Sequence, residues 1–194
     1  HKDPDNILLW RYKPQLLEGE VIRDSILAVG GILAANRPKG SQVLEISKQQ
    51  ALGRQREIGR RDYYKKDVNW DVPRRSAYLP MARGVLPDML AAFDAPDPNL
   101  VVGVRKLTIV PTQALYLMNS KMMIDASAAT AKRVYAMGKD ERTPYAYELI
   151  LGRHPNEQEL AETSAFLEKS GDSEKTWAQL CQALCCCGEF RTLY

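Results

Sequence analysis

The half of the chain that follows Pro111 carries helix start and stop signals at short intervals. Proline suits the first turn of a helix because its φ is fixed and it has no N–H to leave unpaired, so Pro111 and Pro144 each predict a helix start. Gly152 can end the second of these helices in a left-handed conformation. Asn156, followed three residues later by a glutamate, has the spacing of a capping box. With a last helix predicted over 174–187, this half favours several short packed helices.

The first half predicts one clear amphipathic helix and a long irregular stretch. Residues 16–27 place apolar side chains at helical spacing, and two glycines follow them. The periodicity fades over 36–71, where proline, glycine and long polar side chains indicate a loop-rich insertion with at most one short strand at 43–46. An extended segment at 74–80 and a short helix at 86–93 are predicted next.

Length and composition fit one folded domain. The chain has 194 residues, of which 45% are hydrophobic and 26% charged, which is ordinary globular usage. We therefore expect a mainly α domain over residues 1–194, a helical bundle with a long irregular insertion at 36–71 and at most a minor β element. Residues 143–194 are predicted to form a helical subdomain. No apolar run is long enough to span a bilayer, so no membrane insertion is expected.

The basic charge of the chain is local. The net charge is +3, and the excess of Lys and Arg falls within residues 51–110. Residues 54–66 interleave six basic side chains with two tyrosines, a composition that suits phosphate contact and base stacking. Two acidic residues dilute this stretch and no nucleic-acid-binding motif surrounds it. A solvated loop is the preferred interpretation, and nucleic acid is not an expected partner.

The four cysteines all fall in the last predicted helix, at Cys181, Cys185, Cys186 and Cys187. Consecutive helical residues point about 100° apart, so three in a row cannot face one ion unless the helix unwinds. No Cys-x-x-Cys-His pattern is present for haem attachment. The favoured interpretation is small packing side chains, some of them buried and inert; a bridge between Cys181 and Cys185, an intermolecular disulfide and oxidation of an exposed thiol are the alternatives. No metal site and no cofactor are expected in this chain.

The sequence offers few of the groups that catalysis uses. The chain has two histidines, His1 and His154, and His154 lies in a connection between predicted helices. There is no glycine-rich nucleotide fingerprint, no Walker-type loop and no nucleophile elbow. The common nucleotide-binding and hydrolase sites are therefore disfavoured.

The polar residues of most interest surround a turn over residues 94–99. Asp94 and Asp97 there can bond to following backbone N–H groups, which explains a turn without any ligand, or can offer oxygens to a hard cation. Nearby arginines can pair with these carboxylates inside the fold or form an anion pocket. The residues that we select as a candidate binding surface are Arg74, Arg75, Arg83, Asp94, Asp97 and Asn119.

Several long motifs, in order along nearly the whole chain, carry a resemblance to a known family. The longest are Arg74-Arg75-Ser76-Ala77-Tyr78-Leu79-Pro80, Phe93-Asp94-Ala95-Pro96-Asp97-Pro98-Asn99 and Val110-Pro111-Thr112-Gln113-Ala114-Leu115-Tyr116-Leu117-Met118-Asn119-Ser120. Shorter matches are Leu8-Leu9-Trp10-Arg11, Arg23-Asp24 and Leu151-Gly152-Arg153. Together they resemble the planctomycete-type C-terminal domain of unknown function DUF1553.

The resemblance implies a location and a context, but no activity. Such domains usually end long bacterial proteins that carry a planctomycete-type cytochrome c domain upstream, which implies a periplasmic or otherwise extracytoplasmic location. No catalytic residues come with the family. The run Cys185-Cys186-Cys187 departs from the family pattern, in which Ala and Ser are more usual, and this puts a general cysteine function in doubt.

Two functional hypotheses follow. The leading one is a non-catalytic interaction or docking module at the C-terminus of an extracytoplasmic multidomain protein that carries c-type haem elsewhere. Its partner would be the upstream domains of the same parent chain or another protein. The alternative is an enzyme domain, for example one acting on carbohydrate, with a polar site around Asp94, Asp97 and the nearby arginines.

Overall fold

The computed structural model describes residues 3, 6–37, 39, 70, 72–81 and 86–194. The described elements, in chain order, are β1 Gln15–Leu16, α1 Gly19–Val29, a 3₁₀ turn Ser76–Tyr78, α2 Asp88–Ala92, α3 Pro111–Asn119, α4 Lys121–Tyr135, a 3₁₀ turn Lys139–Glu141, α5 Arg142–Leu151, α6 Glu157–Ser170, α7 Glu174–Cys186, a 3₁₀ turn Glu189–Arg191 and β2 Thr192–Leu193. The fold is therefore mainly α with a minor β element, as predicted. Almost all of the insertion predicted at 36–71, with its strand at 43–46, lies outside the described residues.

Pro111, Gly152 and Asn156 lie at helix ends, as the sequence predicts. Pro111 is the first residue of α3, and Gly152 ends α5 with a φ of 71°. The side chain of Asn156 accepts from the N–H of Glu159 at 2.8 Å, while Glu159 accepts from the N–H of Asn156 at 2.8 Å. This capping box satisfies backbone groups that the first turn of α6 would otherwise leave without a partner.

The segment predicted as extended at 74–80 instead contains a 3₁₀ turn, Ser76–Tyr78. The carboxylate of Asp24 in α1 accepts hydrogen bonds from both the N–H and the hydroxyl of Ser76, each at 2.7 Å. A contact across 52 residues thus fixes the start of the turn, and local sequence patterns do not report such contacts.

A short antiparallel sheet joins the two ends of the described chain. Gln15 pairs with Leu193 and Leu16 with Thr192, and the N–H of Leu17 extends the contact by donating to the carbonyl of Arg191 at 2.9 Å. Two-residue strands carry too little alternation to be predicted from sequence.

The last helix, α7, lies at the centre of the core. It packs against α3, α4 and α5, and its contact with α4 is the most extensive between any two described elements. Trp177 and Cys181 of α7 are 1% and 0% exposed, and Leu184 and Cys185 are also buried. The prediction that some of the cysteines are buried packing residues is confirmed.

The first helix joins this core through a close approach to α2. A Cβ on Gly19 would lie only 2.8 Å from the Cβ of Phe93, so the first turn of α1 lies directly against the end of α2. Ile22 and Ile26 of α1 are each 1% exposed and belong to the same apolar cluster as Trp177. Among the described helices, none is both long and apolar enough to cross a membrane.

An arginine joins three parts of the C-terminal half. Arg153, just after α5, donates to both oxygens of Glu159 in α6, at 2.7 and 2.8 Å, and to both oxygens of Glu189, at 2.6 and 2.8 Å. The hydrogen bonds from Arg153, helped by that from the N–H of Asn156, lower the pKa of Glu159 to about 2. The same arginine lowers the pKa of Glu189.

This network makes stability depend on pH in a defined window. A carboxylate whose pKa is lowered by folding stabilises the native state above its usual pKa, here 4.5, and loses that contribution as pH falls towards its folded pKa. Replacing Arg153 by Met should therefore lower the free energy of unfolding by about 1 kcal/mol at pH 7, since the pairs are partly solvated. The difference from the parent chain should shrink as pH falls from 4.5 to about 2.

Urea unfolding followed by tryptophan fluorescence at pH 7, 4 and 2.5 measures this difference. The matched control is Lys121→Met, which removes the exposed pair between Lys121 and Asp125 within α4. We expect that variant to lie within about 0.5 kcal/mol of the parent. An Arg153→Met defect of equal size at all three pH values would contradict the role given to the two glutamates.

Candidate interaction surface

A buried arginine outside the candidate set connects α1 to Trp70, Val72, Arg74 and Ser76. Arg23 is 3% exposed, and its guanidinium donates to the backbone carbonyls of Val72 at 2.6 Å, Arg74 at 2.7 Å and Trp70 at 3.4 Å. It also donates to the hydroxyl of Ser76 at 3.3 Å. A planar guanidinium with five N–H groups can satisfy several carbonyls at once, so Arg23 organises this segment.

The signal for this contact was present in the sequence. Arg23 lies on the same face of α1 as Ile26 and Leu27, three and four residues later, and both of these are buried. An arginine on an apolar helix face must find partners inside the fold, and backbone carbonyls supply them here. The motif Arg23-Asp24, which contributes to the family resemblance, thus has a structural role in the fold.

Arg74 and Arg75, the two candidate arginines that the structure describes, make their contacts near α1 and not at the turn over residues 94–99. Arg74 offers its backbone carbonyl to Arg23, and Arg75 is 59% exposed with its Nε 3.9 Å from a carboxylate oxygen of Asp24. Arg83 lies outside the described residues. Within the described part of the chain, no ion pair joins Arg74 or Arg75 to Asp94 or Asp97.

Asp94 instead holds a neighbouring backbone segment. Its φ of 57° is left-handed, and its carboxylate accepts from the N–H of Thr108 at 2.7 Å, the hydroxyl of Thr108 at 2.8 Å and the amide of Gln113 at 3.4 Å. The cavity that Asp94 borders measures about 20 Å³, room for one water molecule and not for a sugar ring. This geometry does not favour the carbohydrate enzyme, which stays a prediction.

The remaining two selected residues make local contacts. Asp97 accepts from the N–H and the side-chain amide of Asn99, at 2.8 and 2.7 Å, which is the self-bonded turn that the sequence favours over a cation site. Asn119 donates to the carbonyl of Leu115, one helical turn earlier in α3, at 2.8 Å. Both contacts explain these residues as parts of the architecture.

The most unusual surface is an apolar segment, residues 100–110, that precedes α3. No helix or strand includes residues 101–110, and seven of its large apolar side chains are exposed. Those seven are Leu100, Val101, Val102, Val104, Leu107, Ile109 and Val110. Single exposed apolar residues are normal on a folded protein, whereas a contiguous exposed run of this length is typical of an interaction surface.

Polar contacts hold the apolar segment against the domain in two places. The N–H and the hydroxyl of Thr108 both donate hydrogen bonds to the carboxylate of Asp94. Arg105 donates to Glu20 twice at 2.8 Å and to Glu18 at 2.9 Å, which fixes the middle of the segment at the start of α1. Partial burial alone would raise the pKa of Glu20, but the hydrogen bonds led by that from Arg105 outweigh it and keep that pKa below its usual value.

A second exposed apolar surface lies near the start of the chain. In the apolar loop, residues 7–10, the side chains of Ile7, Leu8 and Leu9 are between 77% and 81% exposed, and Trp10 is 56% exposed. Residues 107–109 of the apolar segment border the small cavity that Leu16 and Leu17 also line.

The apolar loop is held in one conformation by two polar side chains. Asp3 accepts from the N–H groups of Ile7 at 3.0 Å and Leu8 at 2.8 Å. Asn6 exchanges hydrogen bonds with the backbone of Arg11, at 2.8 and 3.2 Å. Leu9 has a φ of 53°, a left-handed conformation that costs a residue with a Cβ about 1 kcal/mol. The loop is therefore ordered while its large apolar side chains face solvent.

These features define the class of protein to which the chain belongs. The described part of the chain is mainly helical, its candidate polar residues make contacts within the fold, and its apolar loop and apolar segment are exposed. The chain belongs to the family of PSD1, protein of unknown function (DUF1553), whose model matches residues 1–167. Comparison with curated proteins and with solved structures gave no match.

The family match ends before the helix on which the core depends. Residue 167 lies within α6, whereas α7 begins at Glu174 and contributes Trp177 and Cys181 to the core. The folded unit of this chain thus includes residues beyond the matched part.

The Arg23 contacts predict a large loss of stability from one substitution. Arg23→Met leaves three buried or partly buried carbonyls without their donor, so we expect the free energy of unfolding to fall by about 3 kcal/mol. Arg75→Met, which changes a mostly exposed arginine in the same region, should change it by less than about 0.5 kcal/mol. Urea unfolding at pH 7 measures both, and equal stability of the two variants would refute the role of Arg23.

The cysteines should divide into two reactive and two protected thiols. Burial raises the pKa of Cys181 to about 12 and that of Cys185 well above its usual value, whereas Cys186 and Cys187 are only partly buried. Because the thiolate is the reactive form, iodoacetamide at pH 8 should modify Cys187 and Cys186 in the native chain and reach the other two only after denaturation. Peptide mass spectrometry reports each site, and native labelling of Cys181 would contradict this order.

Proposed function

We propose that this chain is a non-catalytic interaction or docking module that ends an extracytoplasmic multidomain bacterial protein with c-type haem elsewhere. The observation that carries the proposal is the apolar segment, residues 100–110, whose seven large apolar side chains are exposed while polar contacts hold its backbone. Family membership is consistent with this context but assigns no activity.

The apolar segment has the properties of the centre of an interface. Protein interfaces bury apolar and aromatic side chains at their core and keep charged groups at the rim. Here Val101 is fully exposed and Val104 is 82% exposed, so a partner could bury both without disturbing the domain. The apolar loop adds three aliphatic side chains and Trp10, a residue type that often contributes strongly to binding.

The way both surfaces are held also supports docking. Asp3 and Asn6 fix the apolar loop, and Arg105 and Thr108 fix the apolar segment, in the absence of any partner. A surface that is ordered before binding loses less conformational entropy on association. The partner that we propose is the upstream part of the same parent chain, with another protein as the alternative.

Calorimetric titration tests the proposal directly. The chain is titrated with the separately expressed upstream part of its parent protein in haem-loaded form, and we expect micromolar or tighter binding. A Val101→Thr, Val104→Thr double variant keeps side-chain shape but adds two hydroxyls. It should bind at least about tenfold more weakly, since burying each hydroxyl without a hydrogen-bond partner costs about 1 kcal/mol or more.

The matched control is Val21→Thr, the same change at a 44% exposed valine of α1 outside both surfaces. It should bind as the parent chain does. Absence of binding by the parent chain would overturn docking to the upstream part, and equal binding by the double variant would remove the apolar segment from the interface.

A further inference from the structure

The second part of the apolar segment, residues 105–110, is an extended stretch of chain. It contains no turn, bend or helix, and Val110 has φ −126° and ψ 149°. No residue of this stretch has a positive φ. A bend at Gly103 and Val104 precedes it, and α3 begins at Pro111 directly after it. The stretch therefore has the length of an ordinary strand.

The backbone of this stretch has almost no hydrogen-bond partners. The N–H of Thr108 donates to the carboxylate of Asp94 at 2.7 Å. The N–H groups of residues 105–107, 109 and 110 donate to no group in the described part of the chain, and the carbonyls of residues 105–109 accept from none. An exposed, extended chain with unpaired backbone groups is a template for pairing with another strand.

The contact of Thr108 fixes the direction in which these unpaired groups point. In an extended chain the N–H and the carbonyl of one residue point to one side, and those of the next residue point to the other side. Because the N–H of Thr108 points to Asp94, the backbone groups of Leu107 and Ile109 point away from it. These two residues are 39% and 71% exposed, so their N–H and carbonyl groups form an outward edge.

A partner that covers this edge must also satisfy its backbone. Burying an N–H or a carbonyl without a partner costs free energy comparable to a lost hydrogen bond. The backbone groups inside a helix bond to one another, so a helix cannot supply the missing partners. A second extended chain can supply both the donors and the acceptors, at the spacing of a β-ladder.

We infer that residues 105–110 act as an edge strand, to which an extended segment of the docking partner adds a second β-strand. This inference rests on the proposed docking function and specifies the contact through which docking takes place. The committed occupant is an extended segment from the upstream part of the same parent chain.

The exposed side chains define the chemistry of the added strand. Leu107 and Ile109 lie on one face of the stretch and favour β-branched or aromatic side chains opposite them. Lys106 is exposed and makes no ion pair with a described residue, so an acidic residue opposite it is favourable. Arg105 is already paired with carboxylates at the start of α1. The added strand should therefore be apolar on one face and carry an acidic residue on the other.

Removing a single backbone donor tests this pairing. The N–H of Ile109 is replaced by an ester oxygen, through incorporation of the α-hydroxy acid that corresponds to isoleucine. This variant keeps every side chain, and its fold should be unchanged because that N–H has no partner in the described part of the chain. In a calorimetric titration with the haem-loaded upstream part of the parent protein, it should bind roughly tenfold more weakly than the parent chain, since a buried carbonyl of the added strand loses its donor.

The matched control is the same ester replacement at Val102, which removes an N–H that lies before the bend and outside the extended stretch. It should bind as the parent chain does. Failure of the parent chain to bind would overturn docking and the added strand together. Binding of the Ile109 ester equal to that of the parent chain would overturn the added strand alone, as would an equal loss in both esters.

Sedimentation of the chain alone distinguishes a second copy of this chain from the proposed partner. We expect no concentration-dependent dimer. A dimer that the Ile109 ester abolishes would assign the added strand to a neighbouring copy and overturn the assignment to the upstream part.

Discussion

The burial of α7 against α4 is the contact on which the rest of the structure depends. It places Trp177 and Cys181 in contact with the same apolar cluster that receives Ile22 from α1 and Phe93 next to α2. Helices α3 and α5 also pack on α7, so α3, α4 and α5 share one partner. A large apolar area removed from water supplies most of the stability of such a domain, and no disulfide joins the described cysteines.

Arginines connect the irregular parts of the chain to this helical core. Arg23 bonds to the carbonyls of Trp70, Val72 and Arg74. Arg105 holds the apolar segment at the start of α1, and Arg153 joins α5, α6 and the C-terminal turn. In each case a planar group with several N–H donors bonds to more than one acceptor. Long connections without secondary structure are thereby fixed at a few points.

The helices could be predicted because their signals are local. Pro111, Gly152 and the pair Asn156 and Glu159 each act within one turn of the helix that they start or end. The two-residue sheet and the 3₁₀ turn at Ser76 depend instead on contacts between distant residues, and no periodicity in the sequence reveals them.

The candidate surface could be predicted less well. Asp94, Asp97 and Arg75 lie in or near an unusual turn, a pattern that suggests chemistry, yet their partners are Thr108, Asn99 and Asp24. Whether a polar residue binds a ligand or stabilises the fold depends on which groups tertiary packing places beside it. The exposure of the apolar segment also depends on tertiary packing, because the sequence alone shows which of its residues are apolar but not whether they are buried.

The short sheet has a mechanical consequence. Because β1 and β2 are antiparallel and Gln15 pairs with Leu193, the chain leaves both strands at the same end of the ladder. A force that separates the two ends therefore opens the hydrogen bonds one after another, as in peeling, and never loads them together as in shear. After two residue pairs and the contact of Leu17 with Arg191, the pull reaches α1 and the C-terminal turn directly. A force that pulls the two ends of this domain apart would therefore be transmitted to the helical core at low force.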